Sequence, residues 1–388
     1  MTVLIYGAYG YTGELIANEA VRTGLPCVLA GRDRDRTEAL ASTLALPSRV
    51  FGLDDPAALD LGLEGVEVVL HCAGPFELTS AAMIDAAIRR GVHYLDITGE
   101  LTVFEAAFAR SAEATAAGVL LMPGVGLDVV PTDCLALHLK RRLPTATKLT
   151  LALCTNGTLS HGTATTMRRN LHRPGCVRRG GQLVSEPVGA RIRDFDFGGR
   201  AGRRTCASVP WGDVSTAFHT TGIPDIDVFA AYPRALRIAM RALGLMGPVL
   251  ATRPVQAVAQ RLVEAFAKGA PKEARDRDAF WIYGEVTDAE GRTAAARMQT
   301  PEGYDFTASA AVEIARRVDN QRSAKGFCTP AGLFGPDFAL ELPGREGNLS
   351  GPLLPAQLRD VAAPRAGARA SRSPDPYPRH RTADRACS

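Results

Sequence analysis

The sequence predicts an α/β fold, and three observations predict it. From residue 2 to about 124, short aliphatic or β-branched runs alternate with alanine-rich stretches of helical character. The first of these runs ends directly in a glycine-rich turn that opens a helical segment. After Gly124 the alternation stops, and helix, strand and hairpin patterns mix. Together these describe an N-terminal Rossmann-type parallel sheet joined to a second α+β domain, and 388 residues suffice for two such cores.

The strands of the first domain, residues 1–124, are TVLIYG, PCVLAG, SRVFGL, VEVVLHCAG, VHYLDITG and GVLLMPG. Each is close to continuously apolar, as strands covered on both faces are. In the second domain, 125–303, PTDCLALHLKRRL predicts a helix and KLTLALC a half-buried strand, followed by several hairpin-like pieces. Two amphipathic stretches come next, near 234–246 and 254–267, the latter with Val255, Val258, Leu262 and Phe266 at helical spacing. FWIYGEVTDAEGRTAAARMQT predicts a hairpin turning at Asp288 to Gly291. A last helix around Thr307 to Val318 returns to the first domain, which residues near 304–342 are expected to complete. From Arg345 onward Pro, Gly, Ala, Ser and Arg dominate with few large apolar residues, so 345–388 is expected to be a disordered basic tail.

The net charge of +4 sits in that tail, where eight Arg face four acidic residues, and the rest of the chain is neutral. A neutral body argues against nucleic acid as partner, because such proteins carry a basic face that tracks phosphates. The eight cysteines are scattered, with no metal-like spacing to histidine, so reduced thiols, no metal site and a cytoplasmic location are expected. The N-terminal residues show no basic segment followed by a cleavage site, and no run of about 20 apolar residues suggests a membrane span.

The first turn reads Gly7-Ala8-Tyr9-Gly10-Tyr11-Thr12-Gly13. Glycines there permit a tight turn, let the backbone approach a pyrophosphate and let the helix sit close to the sheet, while the helix N-terminus faces the phosphate with its amides. Gly7, Gly10, Tyr11, Thr12 and Gly13 are therefore expected to bind a dinucleotide. At the end of the second strand, where an acid would accept the ribose hydroxyls of NAD, stands Arg32, whose charged fork suits the 2′-phosphate of NADPH. The competing assignment gives the ribose to Asp33 or Asp35 and leaves the arginines as a solvated helix start. Cys72, Ala73, Gly74 and Pro75 form a small-residue turn after the fourth strand, where the cofactor crosses the sheet. Asp54, past the third strand, is expected to cap a helix rather than border the adenine.

The motifs GAYGYTG, LAGRD, VVLHCAGPF, YLDITGE and PGVGLDVVPTD, in that order, resemble the saccharopine dehydrogenase-like family. SHGTATT, VPWGDVSTAFHTTGIPDI, GEVTDAEG, TPEGY and GLFGPDFALE extend the resemblance to about residue 342. It implies an NADPH-binding domain joined to an α+β domain that shapes a small-molecule substrate site and often makes a homodimer. Through PGVGLDVVPTD and WGDVSTAF the chain looks nearest the trans-acting enoyl reductases and lipid-associated members. His71 departs from the asparagine expected before the CAGPF turn.

A reductase needs a proton source beside the nicotinamide. Asp96, Thr98 and Glu100 follow the fifth strand, and Asp128 and Asp133 the sixth, so both sets should edge the ligand crevice. Glu100 and Asp128 are the candidates for proton transfer. Asp133 or Thr132 reads also as a helix cap, and Asp96 as a partner of loop amides. His161 and His219 are candidate acids or ligands with an ordinary structural alternative, and Arg168 with Arg169 forms either an anion grip or a solvated helix face. The segment Ala235 to Leu250, with Arg234, Arg237 and Arg241, is a core helix or one that contacts a membrane or an acyl chain. The expected activity is NADPH-dependent reduction of a C=C or C=O bond in an acyl or lipid-like substrate. Alternatives are reduction of a C=N bond in opine or amino-acid metabolism, and a cofactor-bound scaffold or redox sensor without turnover.

Overall fold

The computed structural model describes residues 2–155, 175–238, 279–320, 324–342 and 357–361. The first sheet holds β1 (Val3–Tyr6), β2 (Cys27–Gly31), β3 (Ser48–Val50), β4 (Val68–His71), β5 (His93–Asp96) and β6 (Leu120–Met122). Between them run α1 (Tyr11–Arg22), α2 (Arg34–Leu44), α3 (Pro56–Gly62), α4 (Phe76–Arg90), α5 (Leu101–Ala109) and α6 (Ser111–Ala116). All neighbouring strands are parallel. Val3, Leu4 and Ile5, and likewise Val68, Val69 and Leu70, are 0% exposed, so alternate side chains enter cores on opposite faces. The unbroken apolar runs are thus explained by a sheet wrapped on both sides.

A seventh strand, β15 (Gly326–Phe327), extends the predicted six, and the spatial order is β15-β6-β5-β4-β1-β2-β3. Successive connections leave β1 in opposite directions, so the loops after β1 and β4 flank the crevice where ligands of open α/β sheets bind. The helix Gly303–Asn320 lies along α1, with Arg316 Nη2 donating to the Thr23 carbonyl at 2.9 Å at one end. At the other end the rings of Tyr11 and Tyr304 meet edge to face at 5.0 Å.

The second sheet runs β10 (Ile192–Asp196), β11 (Arg203–Ser208), β12 (Asp225–Ala231), β7 (Ala146–Thr155), β13 (Ala279–Asp288), β14 (Thr293–Pro301) and β16 (Gln357–Val361). A hairpin of β8 (Gly175–Arg179) and β9 (Gln182–Glu186) joins it at β12. Among the described residues of this sheet only β7 and β12 pair in parallel. The helix α7 (Val130–Arg142) packs closely on β13 because Gly284 has no side chain there; a Cβ would lie 2.7 Å from Leu139 Cδ1.

Three expectations change. A helix, α8 (Asp213–Thr221), occupies a stretch where only hairpin-like pieces were expected. The tail is not wholly without structure, since β16 pairs antiparallel with β14 from Ala295 opposite Val361 to Gln299 opposite Gln357. Backbone pairing at an open sheet edge supplies what its composition lacks in apolar side chains. The cap of α3 is Asp55, whose carboxylate accepts from Ala57 N at 2.9 Å; Asp54 is exposed. Of the stretch near 234–246, residues 234–238 are helical and the rest lies outside the described residues, as does 254–267. Among the described residues no helix is long and apolar enough to cross a membrane, and the seven described cysteines are free thiols.

Candidate functional site

The glycine turn after β1 is shaped to leave room for a ligand. Gly7 has φ +78°, and a Cβ there would lie 2.8 Å from the Ala73 Cβ, so the loops after β1 and β4 meet at this point. A Cβ on Gly13 would lie 2.4 Å from the Gly7 carbonyl oxygen, so α1 starts in contact with the turn. Gly10 is the N-cap of α1, and no side chain caps it. The first-turn amides of Tyr11, Thr12 and Gly13 lie at this end of the helix, with its positive dipole.

Beyond it, Gly31 ends β2 in contact with the Tyr9 ring, which a Cβ would approach to 2.4 Å. Asp33 caps α2, its Oδ1 accepting from Arg36 N at 3.1 Å. Arg36 lies over the Tyr9 ring at 4.5 Å and donates to the Tyr9 carbonyl at 3.1 Å. Arg32 is exposed, and no hydrogen bond or ion pair engages it among the described residues, its charge reaching Tyr6 alone at a distance. A phosphorylated dinucleotide fits this arrangement: small turn, uncapped helix start, unpaired arginine at the strand end. Gly7, Gly10, Tyr11, Thr12 and Gly13 would hold its pyrophosphate and Arg32 its 2′-phosphate, the nicotinamide bringing hydride chemistry to the crevice.

On the far side of the switch point, β4 ends in His71, which is fully buried among the rings of Tyr6, Phe76 and Tyr94. Burial pushes its pKa down to about 3, so the imidazole is neutral. Thr79 donates to the Ala73 carbonyl at 2.7 Å, so the 3.0 Å contact between Thr79 and His71 Nε2 is made with the ring nitrogen as donor. His71 therefore supports the Cys72 to Pro75 turn from behind and does not line the crevice. Gly74 and Pro75 are joined by a cis peptide. Burial, with the Asp96 charge as a lesser cause, pushes the Cys72 thiol up, so it is un-ionised.

Glu100 caps the start of α4 from outside: its carboxylate accepts from Phe76 N at 3.2 Å and Glu77 N at 2.8 Å. The carboxylate that placement alone proposed for proton transfer thus anchors the turn beside the cofactor cradle. Asp96 ties the ends of β5 and β6 together by accepting from Tyr94 Oη at 2.7 Å and from the amides of Thr98 and Gly124, both at 2.9 Å. Burial pushes its pKa up to about 6 against the pull of those donors.

Asp128 differs. It is half-buried after β6, no hydrogen bond reaches its carboxyl among the described residues, and burial pushes its pKa up to about 6. Gly99 leaves it room; a Cβ there would lie 2.7 Å from Asp128 Oδ2. The second domain reaches the same point, where Trp211 Nε1 donates to the Asp128 carbonyl at 3.1 Å and Gly212 packs against the ring of Phe104. Asp133 is not a helix cap: buried, it accepts from Thr220 Oγ1 and, at 2.8 Å, from Ala331 N, joining α7 to α8 and to the C-terminal segment. Thr132 donates back to the Val129 carbonyl at 2.9 Å.

His219 lies away from the crevice, between the rings of Phe108 at 4.1 Å and Phe327 at 5.1 Å, with Nε2 3.8 Å from Glu105. Glu105 also accepts from Arg178 at 2.7 Å and Ser215 at 2.6 Å, tying α5 to β8 and α8. Sequence reasoning missed this knot and the Trp211 contact, because their partners are 73 to 110 residues apart and neither leaves a local pattern. His161, Arg168 and Arg169 lie outside the described residues. Among the described residues no group of three or more His, Cys, Asp or Glu could hold a metal ion.

Comparison with known proteins agrees with this geometry. Residues 3–122 match the family described as saccharopine dehydrogenase NADP binding domain, which spans the first domain. The chain is similar to a saccharopine dehydrogenase-like oxidoreductase of Mus musculus, 27% identical over 161 residues, covering 36% of this chain and 38% of that one. It is also similar to a trans-acting enoyl reductase of Mycobacterium leprae (strain TN), 29% identical over 154 residues, covering 36% of each. These matches span little more than a third of either relative. Saccharopine dehydrogenase (L-Glu forming) of Saccharomyces cerevisiae shares the fold across 93% of this chain and 100% of its own, with a TM-score of 0.62 at 13% identity. Homospermidine synthase of Legionella pneumophila does so at 0.56 and 10%, covering 87% of each chain.

Proposed function

We propose that the protein is an NADPH-dependent reductase that acts on a C=C or C=O bond of an acyl or lipid-like substrate, with Asp128 as the proton donor. The observation that carries this reading is the Asp128 carboxyl: at the carboxyl edge of the sheet, without a hydrogen-bond partner among the described residues, and with its pKa raised to about 6. A group that titrates near the working pH is suited to giving and regaining a proton. The bound cofactor would supply the hydride. Asp128 would protonate the substrate atom that receives the charge, Glu100 would hold the Cys72 to Pro75 turn against the nicotinamide, and Trp211 would close the second domain over the crevice. The acyl preference is supported by the enoyl-reductase relatives, which cover only part of the chain.

Reduction of a C=N bond joining two amino-acid-like halves would call for unpaired cations to grip several carboxylates. Arg178, the buried arginine nearest α8, is already bonded to Glu105, Val214 O and Gly181 O. NADPH oxidation by the purified protein, measured against enoyl thioesters, ketones and imines, tests the proposal. With an enoyl or carbonyl acceptor, Asp128→Asn should lower kcat by about 100-fold or more while leaving NADPH binding within about 2-fold. Unchanged kcat in that variant would remove Asp128 from the chemistry, and turnover with imines alone would overturn the acyl assignment.

A further inference from the structure

Asp213 takes no part in the cofactor cradle or in the proton transfer just described. It opens α8 directly after Trp211 and Gly212, it is 0% exposed, and neither carboxyl oxygen has a hydrogen-bond partner among the described residues. The amides that a first-turn acid ordinarily captures are engaged: Val214 N donates to the Trp211 carbonyl at 3.1 Å, Ser215 N and Thr216 N to that of Gly212 at 2.9 and 3.1 Å. Thr132 stands beside it, but its hydroxyl is bonded to the Val129 carbonyl at 2.9 Å, so it gives a negative charge on Asp213 little support against burial.

The charged groups on the packed elements do not compensate a negative charge either. Asp128 after β6 and Asp133 on α7 are both acids. Arg178 on β8 is bonded to Glu105 on α5 and to backbone carbonyls, and His219, further along α8, lies 3.8 Å from that same Glu105. An ionised carboxyl in such surroundings loses its hydration for no more than the weaker pull of Thr132 and of its own backbone amide, so the group keeps its proton instead.

We infer that Asp213 is held as an uncharged carboxylic acid beside Asp128, so that Asp128 changes charge in the crevice without a second negative charge next to it. The inference rests on the reading of Asp128 as proton donor. The turn that carries Asp213 also carries the bond from Trp211 Nε1 to the Asp128 carbonyl, and Gly212 lies against Gly99 and Phe104, so the two acids share one piece of backbone packing. A charge on Asp213 would act on Asp128 as a like charge, hold its proton to higher pH and pull the turn toward water. Uncharged, Asp213 keeps the turn docked. Two carboxyls in contrasting surroundings thereby take different roles, one exchanging its proton and one retaining it.

Infrared spectra of the intact protein without cofactor, recorded from pH 5 to 9, test this through the carbonyl band of protonated carboxyls. The wild type should retain at pH 8 a band that Asp213→Asn lacks. In that variant the titration of Asp128, identified by its loss in Asp128→Asn, should stay within about half a pH unit of the wild type. Asp213→Leu, uncharged and unable to donate, should give the same Asp128 midpoint and serves if the amide does not fold. Absence of the pH 8 band, or a fall of the Asp128 midpoint by about one unit or more on removing Asp213, would mean that Asp213 was ionised and would overturn the inference. If the proton donor is another group, Asp128→Asn leaves turnover intact while the Asp213 band is still read, so the two failures are distinguishable.

Discussion

Asp128, proposed as the proton donor, shows at the scale of one residue what burying a carboxyl does to stability. Its carboxyl has a lower proton affinity in the unfolded chain, near the ordinary 3.8, than in the fold, where burial raises the pKa to about 6. Between those values the native state binds more protons than the unfolded state, so this residue makes stability fall as pH rises from about 4 to about 6, after which its effect is constant. Asp128→Asn should therefore melt higher than the wild type at pH 8, with the difference vanishing as pH falls to 4; thermal melts across that range check it, and a lower Tm at pH 8 would contradict it. Placement at a strand end made Asp128 and Glu100 legible as candidates in the sequence. What separates them is that Glu100 meets the amides of Phe76 and Glu77, 24 and 23 residues upstream, while Asp128 meets no donor among the described residues. No spacing rule encodes that difference. The expected Asp54 cap moved by one residue to Asp55 because both positions carry the same side chain, and backbone geometry alone selects between them.

At the scale of elements, the first domain was legible strand by strand because a sheet covered on both faces demands unbroken apolar runs, and each one ends at a glycine, proline or acid that shapes a loop. The turn from β1 into α1 is the most constrained of these. Gly13→Val would drive side-chain atoms into the Gly7 carbonyl and separate helix from turn, so binding of NADPH and NADH should both be lost while circular dichroism still reports a folded protein. Retained binding of either nucleotide would place the cofactor elsewhere. The helix Asp213–Thr221 was hidden because its buried face is polar as well as apolar: Asp213, Ser215 and Thr216 are all inside with Val214 and Ala217. A periodicity argument built on hydrophobic residues passes over such a face. β16 was hidden for the opposite reason, since edge pairing uses backbone groups that every residue carries.

At the scale of the molecule, the two sheets are held together by α7, α8 and the knot around Glu105, and the crevice depends on that union. Arg178 is 4% exposed and relies on Glu105 to balance its charge. Glu105→Ala should leave the guanidinium uncompensated and cost about 2 to 4 kcal/mol in chemical denaturation, with Arg178→Met in the same background recovering part of the loss. Independence of the two substitutions would remove the knot as a link between domains. The claim on which everything else stands is that the first domain selects NADPH through an unpaired arginine at the end of β2. Titration of the purified protein with NADPH and with NADH, followed by nicotinamide fluorescence in the wild type and in Arg32→Ala, tests it most directly. The structure predicts preferential binding of NADPH and a loss of about 10- to 100-fold for NADPH alone in the variant. Equal affinity for the two nucleotides, or an equal loss for both on removing Arg32, would contradict it.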